Sequence, residues 1–474
     1  MGPRLPGGSR ALTTSEAVLW RTESTEARLP VLALLTLDAA PEWDRLRSAV
    51  GHAVEAHPRL RTRLAEPPFG VGRPRWEPVP VLDLRHHLRR VRHPDGANGA
   101  LDVAQTMATT PFDTAHPLWE AVLVDGPAAT GASLVFKVHH ALADGRSVQA
   151  MLSALCEDTS AAPRKPGPLR VVPPADARSD PPGRPGIPPL TGLTGLPGLP
   201  GAAADELRRL TGTAVHRLLT PLGTLSRLAM RPRATGRSCV SALTLPAPHS
   251  PALRERSHQR ALHVLDVPRQ TLRAAGRLVG GTTHDAFLAS VLGGLRLYHE
   301  ELGLTCRHLP MAIAVALPPR PGAVEAGNRF TGLRLAGLSG EANPLRRLEG
   351  VHTMVRAARA DPLIDPDGLG PLSCLLAAAP GPAVRALARH LTASDVHCTY
   401  VAGPQQRLEV AGVGVAGIHP FAPVVNCGFS VAMCSYDYLC AIGVNIDSGA
   451  VKRPELLHSA LKGGFREIEN LVDK

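Results

Sequence analysis

The sequence predicts an α/β (α+β) fold organised in two core-bearing subdomains. Its 474 residues exceed the size of about 250–300 residues at which a single hydrophobic core usually stops growing. Helix-like and strand-like segments alternate on both sides of a stretch that is dominated by Pro and Gly. With 44% hydrophobic and 20% charged residues, the composition is that of a globular protein rather than a disordered one.

The N-terminal subdomain is predicted to span residues 1–160. Pro41 opens a helix whose apolar residues recur at helical spacing as far as Val54. Ser133–Val138, SLVFKV, predicts a strand. The apolar spacing in Arg146–Cys156 predicts the helix that follows this strand.

Residues 161–204 are predicted to link the subdomains, because Pro and Gly dominate there and no apolar period of 2 or 3.6 survives. Within this segment, leucines recur at every third position from Leu190 to Leu199, a spacing that would stripe one side of a polyproline II helix. Two interpretations stay open: an extended linker between the subdomains, or a flap that faces lipid.

The C-terminal subdomain is predicted to span residues 205–474. Thr282 and Asp285 have the spacing of a capping box, and a helical apolar pattern follows them. Met311–Leu317 and Asn426–Ile446 predict strands, and Pro454–Leu471 predicts a closing helix.

The formal charge of +11 and the isoelectric point of about 9.7 favour an anionic partner, namely nucleic acid, an anionic membrane surface or a phosphate-bearing ligand. Aromatic residues make up only 3% of the chain, and they do not alternate with basic residues as in a base-stacking platform. Nucleic acid is therefore not expected as a partner.

The eight cysteines show no paired short spacing of the kind that chelates zinc. Reduced thiols and a cytoplasmic location are therefore expected. The N-terminus lacks a signal-peptide core, and His419, Pro420, Pro423 and Asn426 interrupt the longest uncharged run. Any membrane contact is expected to be peripheral.

The segment His139-His140-Ala141-Leu142-Ala143-Asp144-Gly145 lies between a predicted strand and a predicted helix. A histidine at such a junction is held by the sheet yet accessible at its end. Neutral imidazole can accept the proton of a hydroxyl group as that oxygen attacks a thioester carbonyl. Asp144 is expected to hold the turn by pairing with an arginine or with backbone amides, and Gly145 to permit a backbone conformation closed to other residues.

The dipeptide His139-His140 alone is also compatible with two alternatives to a catalytic base. One is a metal site, which the opposite orientation of neighbouring side chains on a strand disfavours. The other is a structural pair of histidines.

Further motifs accompany HHALADG. They are Pro117-Leu118-Trp119, the stretch Pro74–Pro94, Gly327-Asn328-Arg329 and Ser435-Tyr436-Asp437. Together with HHALADG and in their order along the chain, they resemble the bacterial wax ester synthase/diacylglycerol acyltransferase family, within the larger group of acyltransferases and condensation domains that share an HHxxxDG motif. The resemblance covers the chain from about Leu12. HHxxxDG alone marks only the superfamily, whereas the combination of motifs is specific to the family.

The resemblance implies two chloramphenicol-acetyltransferase-like subdomains, each a mostly mixed sheet with helices, and an active-site tunnel between them. Acyl-CoA would enter from one side and the alcohol from the other, giving triacylglycerol from a diacylglycerol or a wax ester from a long-chain alcohol. It implies that His140 is the general base, assisted by His139, Gly145 and a structural Asp144. Substrate-binding positions are expected at Pro117, Leu118, Trp119, His284, Asp285, Asn328 and Tyr400. No metal or bound cofactor is expected, since acyl-CoA is a substrate.

The sequence departs from the family at two places. The family usually has Asn-Asp where this chain has His284-Asp285, and a Ser-Asn-Val-Pro-Gly-Pro run where this chain has Cys398-Thr399-Tyr400-Val401-Ala402-Gly403-Pro404. The two missing asparagines put the usual lipid acceptor in question more than the reaction type. We expect His284 and Tyr400 to line or support the acceptor side of the tunnel, the alternative being that they only pack a subdomain contact.

Several other interpretations stay open. The basic run Arg85–His93 could meet phosphates or form a solvated surface, and Trp119 could belong to the core or to the acceptor pocket. A rival function in the same chemistry is an acyltransferase or condensation-type enzyme of specialised metabolism that acts on a non-lipid acceptor, with a carrier-protein thioester as a possible donor. A rival from another class is a catalytically silent, condensation-like binding protein, which the intact HHALADG disfavours.

Overall fold

The alternation of helices and strands expected from the sequence is present in the computed structural model of the protein. The structure describes residues 9–25, 27–67, 72–126, 131–158, 247, 249–316, 330–360 and 381–473. The predicted linker 161–204 and the motif around Asn328 lie outside the described residues.

The described strands are Arg10–Ala11 (β1), Pro30–Leu37 (β2), Thr62–Ala65 (β3), Arg75–Pro78 (β4), Leu88–Arg92 (β5), Trp119–Asp125 (β6), Ala132–His139 (β7), Glu157–Asp158 (β8), Arg260–Pro268 (β9), Leu309–Ala316 (β10), Phe330–Gly337 (β11), Val396–Ala402 (β12), Leu408–Val410 (β13), Val413–Phe421 (β14), Phe429–Tyr436 (β15) and Leu439–Asp447 (β16). The described α-helices are Thr14–Thr22 (α1), Trp43–Ala56 (α2), Leu84–His87 (α3), Ala100–Thr109 (α4), Gly145–Leu155 (α5), Arg269–Leu278 (α6), Thr283–Glu301 (α7), Pro344–Arg359 (α8), Gly381–Leu391 (α9) and Pro454–Glu469 (α10). None of these helices is long and apolar enough to cross a membrane.

The first large sheet has seven strands in the order β5-β6-β7-β2-β14-β13-β8. It is mixed, because β5 and β6 pair in parallel whereas β7 pairs antiparallel with both β6 and β2. Side chains of α2 and α5 pack against β6 and β7 on one face, and α4 packs on the other. Every residue of β7 is therefore buried. The strand lies between β6 and β2, and these neighbours hold its end at His139 in place.

The second large sheet has six strands in the order β11-β10-β12-β15-β16-β9. β12 pairs in parallel with β10 and β15, and the other pairs are antiparallel. Helix α7 is buried without interruption from His284 to Leu295, as expected of a helix that is covered on all sides. It packs against α10, α6 and α8 within the second core.

The strands of the two large sheets do not come from two separate, continuous halves of the chain. Residues 408–421 follow the second sheet's β12, yet β13 and β14 belong to the first sheet, where β14 pairs with β2 from Val415 opposite Leu37 to Phe421 opposite Leu32. The strand-like stretch expected over 426–446 contains the two antiparallel strands β15 and β16, and between them the chain turns at Asp437 with a φ of 51°. The domain limits 1–160 and 205–474 remain a prediction.

Candidate active site

The HHALADG segment forms the connection between β7 and α5, as the sequence predicted. Backbone hydrogen bonds hold the first two residues of the segment. The His139 amide donates to the Leu118 carbonyl, and the His140 amide donates to the Leu29 carbonyl, both at 2.9 Å. The two histidines are therefore anchored to neighbouring chain segments on both sides of β7.

His139 is fully buried, and both of its ring nitrogens are engaged. The Ala141 amide donates to Nδ1 at 3.0 Å, so Nδ1 is the accepting nitrogen and Nε2 carries the proton. Nε2 then donates to Glu23 Oε2 at 2.9 Å. This pattern leaves His139 no nitrogen for a substrate or a metal ion and favours a positioning role.

His140 is only partly buried, in contrast to its neighbour. Burial lowers the pKa of its imidazole below the usual 6.5, and the nearby His139 lowers it further, while the charge of Asp144 acts in the opposite direction. The neutral form, which can accept a proton, is therefore favoured at neutral pH.

Asp144 caps α5 and lies near the ion pair of Arg59 and Glu16. Its Oδ1 accepts hydrogen bonds from the Ser147 amide at 2.8 Å and from Ser147 Oγ at 2.7 Å. Desolvation lowers the pKa of the partly buried Arg59 guanidinium, and the negative charges of Glu16 and, to a smaller extent, Asp144 act in the opposite direction. Arg59 in turn donates to Glu16 Oε1 at 2.7 Å and to the Ala141 carbonyl at 3.4 Å. The geometry supports the structural role expected for Asp144.

We expect the Asp144→Ala substitution to lower the free energy of unfolding by about 1–2 kcal/mol, because it removes the N-cap of α5. Asp144→Asn keeps an accepting side-chain oxygen and should lose less. Urea unfolding followed by circular dichroism measures both effects. Asn343→Ala is a matched control, since Asn343 caps α8 through the Leu345 and Arg346 amides. It should cost similar stability without altering acyl transfer, whereas full stability with lost transfer in Asp144→Ala would indicate direct chemistry by Asp144.

Gly145 is required for close packing rather than for an unusual backbone conformation, which corrects the sequence-based explanation. Its φ does not lie in the left-handed region. A Cβ at this position would lie 2.8 Å from Val401 Cγ2, which is too close for two carbon atoms. The first turn of α5 therefore packs directly against β12, the strand that carries Tyr400.

The Pro117-Leu118-Trp119 motif is buried beside the first large sheet and contacts the chain at His139. Leu118 provides the carbonyl that holds His139. Trp119 is 1% exposed, donates from Nε1 to the Leu60 carbonyl at 2.8 Å and stacks on His87 with ring centroids 4.4 Å apart. These contacts favour the core interpretation of Trp119, and the substrate-binding role of the three residues stays a prediction.

His284 and Tyr400, the two departures, lie together. Their ring centroids are 6.1 Å apart with an interplanar angle of 18°, and the Tyr400 hydroxyl lies 3.2 Å from Ser435 Oγ. Burial lowers the pKa of His284 to about 4. Both His284 ring nitrogens are buried and have no hydrogen-bond partner among the described residues, an arrangement that disfavours a purely packing role.

Asp285, the neighbour of His284, closes the predicted capping box. Its Oδ2 accepts from the Thr282 amide at 2.8 Å, and the Asp285 amide donates to Thr282 Oγ1 at 3.4 Å. The same Oδ2 lies 3.2 Å from His352 Nδ1. These contacts orient the start of α7 and with it His284, while a direct contact of Asp285 with substrate stays a prediction.

The basic run Arg85–His93 forms ion pairs at the surface. Arg85 is 91% exposed and pairs with Asp83, and Arg89 pairs with Glu120. Arg90 pairs with Asp125. Because acidic neighbours already balance these three arginines, the contacts favour the solvated-surface interpretation.

Two further groups of residues bear on cofactor and nucleophile chemistry. Within the described part of the chain, the group with metal-binding geometry is His263, Glu455 and His458, whose ligand atoms lie within 4.8 Å of one another; it does not include the HHALADG histidines. The buried thiols are poor nucleophiles, since burial raises the pKa of Cys434 to about 12.

The sequence analysis missed two acidic residues outside the motif that support the site. They are Glu23, which bonds His139, and Glu16, which bonds Arg59. Glu16 did carry a signal, because Thr13 and Glu16 have the spacing of a capping box, which the structure contains. Glu23 carried none: its bond to His139 joins residues 116 positions apart.

Comparisons with known proteins agree with this architecture. Residues 12–287 match the family model of the "Wax ester synthase/diacylglycerol acyltransferase catalytic domain", and residues 326–469 match that of the "WS/DGAT C-terminal domain". A candidate diacylglycerol O-acyltransferase of Mycobacterium tuberculosis (strain ATCC 25618 / H37Rv) is 30% identical over 443 residues, which are 93% of this chain and 88% of the relative.

Solved structures share the fold. The wax ester synthase/diacylglycerol acyltransferase from Marinobacter aquaeolei VT8 has a TM-score of 0.61 at 18% identity, covering 98% of this chain and 100% of that one. The first condensation domain of the calcium-dependent antibiotic synthetase has a TM-score of 0.57 at 15% identity, covering 98% and 97%. These similarities confirm the predicted fold class.

Proposed function

The chain belongs to the wax ester synthase/diacylglycerol acyltransferase family, and from this premise we propose that it transfers a fatty acyl group from acyl-CoA to an alcohol. The acceptor is a diacylglycerol, which gives triacylglycerol, or a long-chain alcohol, which gives a wax ester. The observation that carries the proposal is the pair at the end of β7: His139 is locked by Glu23, and beside it the neutral imidazole of His140 is favoured.

In the proposed mechanism, a ring nitrogen of neutral His140 accepts the proton of the acceptor hydroxyl as its oxygen attacks the thioester carbonyl. The tetrahedral intermediate then collapses, the carbon–sulfur bond breaks, and the imidazolium returns the proton to the leaving thiolate. The products are an ester and free CoA. No acyl-enzyme, metal ion or bound cofactor is needed, because both proton transfers are assigned to His140.

The test is to incubate the purified protein with palmitoyl-CoA and either hexadecanol or a diacylglycerol. Released CoA is measured with a thiol reagent, and the ester is identified by mass spectrometry. Stoichiometric CoA and ester support the proposal. CoA binding without turnover on any alcohol would instead favour the catalytically silent binding protein.

The proposal places the enzyme in the cytoplasm, with peripheral contact at a membrane or lipid-droplet surface, because diacylglycerols and long-chain alcohols partition into lipid. Flotation of the protein with diacylglycerol-containing vesicles tests this contact. A protein that stays entirely in the aqueous fraction while esterifying a water-soluble alcohol would contradict it.

His284 favours an acceptor with a polar group beyond its reacting hydroxyl, and so keeps a non-lipid acceptor of specialised metabolism as the second candidate. Its two buried ring nitrogens have no partner among the described residues, and a buried polar group without a partner costs stability. A second hydroxyl or an amide of an acceptor would satisfy one of these nitrogens, whereas an alkyl chain would not.

We expect His284→Asn, Tyr400→Asn and the double variant to change the ratio of transfer to a diacylglycerol over transfer to a primary alcohol. Asparagine is smaller than tyrosine and reaches less far, so Tyr400→Asn should favour the bulkier acceptor. Initial rates with both acceptors are compared for wild type and the three variants. A ratio that is the same in all four proteins would show that neither residue selects the acceptor.

A further inference from the structure

Two histidines and a glutamate come together where β9, the last strand in the order of the second large sheet, meets the closing helix α10. His263 lies on β9, and Glu455 and His458 lie in the first two turns of α10. Residues three positions apart on a helix share one face. One ligand atom from each of the three residues lies within 4.8 Å of the other two. The proposed acyl transfer uses none of them.

His263 has a buried nitrogen that the fold does not satisfy. Its Nε2 has no hydrogen-bond partner among the described residues. Glu455 Oε1 lies 3.8 Å from this nitrogen, which is too far for a hydrogen bond. Burial lowers the pKa of His263, and the charges of His458 and Lys462 lower it further, while Glu455 acts in the opposite direction. The neutral imidazole is therefore favoured, and an ion pair with Glu455 does not explain the arrangement.

The hydrogen bond of His458 leaves its other ring nitrogen able to bind a metal ion. His458 Nε2 lies 3.2 Å from the Val264 carbonyl. A carbonyl only accepts, so Nε2 carries the proton and Nδ1 has the lone pair. Burial lowers the pKa of His458 as well, which favours the neutral form. Histidines that bind metals commonly donate their second nitrogen to a backbone carbonyl in this way, which fixes the tautomer.

The separations are close to those of a small divalent ion's ligands. A tetrahedral site with nitrogen and oxygen ligands at about 2.0–2.2 Å holds these atoms roughly 3.3–3.6 Å apart. His263 Nε2 and Glu455 Oε1 are 3.8 Å apart, and the Glu455 side chain is 84% exposed and free to move inward. The rings of His263 and His458 stack with centroids 4.6 Å apart and an interplanar angle of 23°. Binding therefore requires the rings to rotate until both lone pairs point at one ion.

The chemistry of the three ligands selects the kind of metal. Two imidazoles and one carboxylate suit zinc, which takes such sets of three protein ligands with water in the fourth position. Magnesium and calcium prefer oxygen ligands alone. Lys462, one turn after His458 on α10, is an exposed cation whose charge reaches His263. It opposes a bound cation, and the carboxylate of Glu455 offsets it.

We propose that His263, Glu455 and His458 bind a divalent transition metal, with Zn²⁺ as the ion that fits best, and that this ion fastens β9 to the start of α10. The site is structural. It takes no part in the proposed acyl transfer, in which both proton transfers are assigned to His140.

The test measures Zn²⁺ binding by calorimetry on the full-length protein after treatment with a chelator. The variants are the double variant His263→Gln/His458→Gln and the single variants Glu455→Gln and Lys462→Gln. His86→Gln/His116→Gln is the matched control, because these two rings also stack, with centroids 4.1 Å apart, and lie outside the group with metal-binding geometry. Visible absorption with Co²⁺ in place of Zn²⁺ reports the ligand type, and thermal melting with and without Zn²⁺ reports stability.

Wild type and the control variant should bind a single Zn²⁺ with equal affinity, and the double variant should lose this binding. Glu455→Gln removes an exposed ligand without disturbing the fold and should weaken binding at least about tenfold. Lys462→Gln should tighten it about twofold, since a nearby like charge is removed. Zn²⁺ should raise the Tm of wild type and of the control variant but not that of the double variant. The Co²⁺ spectrum should lack thiolate charge-transfer absorption.

The inference is overturned if wild type binds no Zn²⁺, or if the double variant and Glu455→Gln bind it like wild type. Loss of binding in the control variant, or a thiolate band in the Co²⁺ spectrum, would place the metal at other residues and reject the site. Zn²⁺ binding without a rise in Tm would reject the fastening of β9 to α10. None of these measurements uses acyl transfer, so their outcome is independent of the proposed function.

Discussion

His140→Ala should reduce kcat for acyl transfer by about 10²–10⁴-fold while the protein remains folded, because it removes the general base at the end of β7. The measurement is CoA release from palmitoyl-CoA with an alcohol acceptor, alongside far-UV circular dichroism. His140 is only partly buried and lies in the turn that follows β7, so its loss should not disturb the sheet. A folded His140→Ala protein with more than roughly a tenth of wild-type turnover would defeat the assignment.

Two controls separate chemistry from structure. His52→Ala removes an exposed histidine on α2 and should leave transfer unchanged. His139→Ala removes two hydrogen bonds from a fully buried ring, to Ala141 and Glu23, and leaves the Glu23 carboxylate without this donor. It should therefore lower stability by roughly 1–3 kcal/mol yet keep some activity.

The pH dependence of kcat/KM tests the same base. Burial places the pKa of His140 below 6.5, so the imidazole stays neutral, and able to accept a proton, as pH falls through 6.5. Activity should hold through that pH and decline only below it. An acidic limb centred at or above 6.5 would contradict a desolvated His140 as the titrating group.

Glu16→Ala should lower the free energy of unfolding by about 3–5 kcal/mol, because it removes a fully buried carboxylate from the partly buried Arg59 guanidinium. The Glu16 side chain is fully buried. It accepts hydrogen bonds from Arg59, Arg10, the Trp76 indole and the Thr13 amide. Urea unfolding gives the change in free energy. The effect should reach the active site, because Arg59 also contacts the Ala141 carbonyl.

The exposed pair of Arg63 and Glu77 is the matched control, since it joins the same residue types between neighbouring strands β3 and β4. Glu77→Ala should cost only about 0.2–1 kcal/mol. An equal loss in both variants would contradict the larger contribution expected of the Glu16–Arg59 pair.

The pH dependence of stability gives a second test of Glu16. Burial by itself would raise the pKa of Glu16, but Arg59 and Arg10 hold it below 4.5. The ionised carboxylate thus stabilises the fold above pH 4.5, and this contribution is lost as pH falls through the lowered pKa. The stability difference between wild type and Glu16→Gln should shrink below pH 4.5.

The amino-acid sequence determined the local features of this protein. The apolar run before His139 and the helical pattern after Gly145 were sufficient to place HHALADG between a strand and a helix, and the structure has β7 and α5 there. The Thr282 and Asp285 spacing likewise gave the start of α7. These features follow from side-chain periodicity and capping, which act over a few neighbouring residues.

The tertiary structure alone decided which distant residues meet. It placed residues 413–421 beside β2, Glu23 on His139, and Val401 where Gly145 has no side chain. It also brought Arg260 and Arg385, which are 125 positions apart, to one pocket. No local pattern specifies such contacts, because they arise when sheets and helices bury their apolar faces and bring far segments of the chain together.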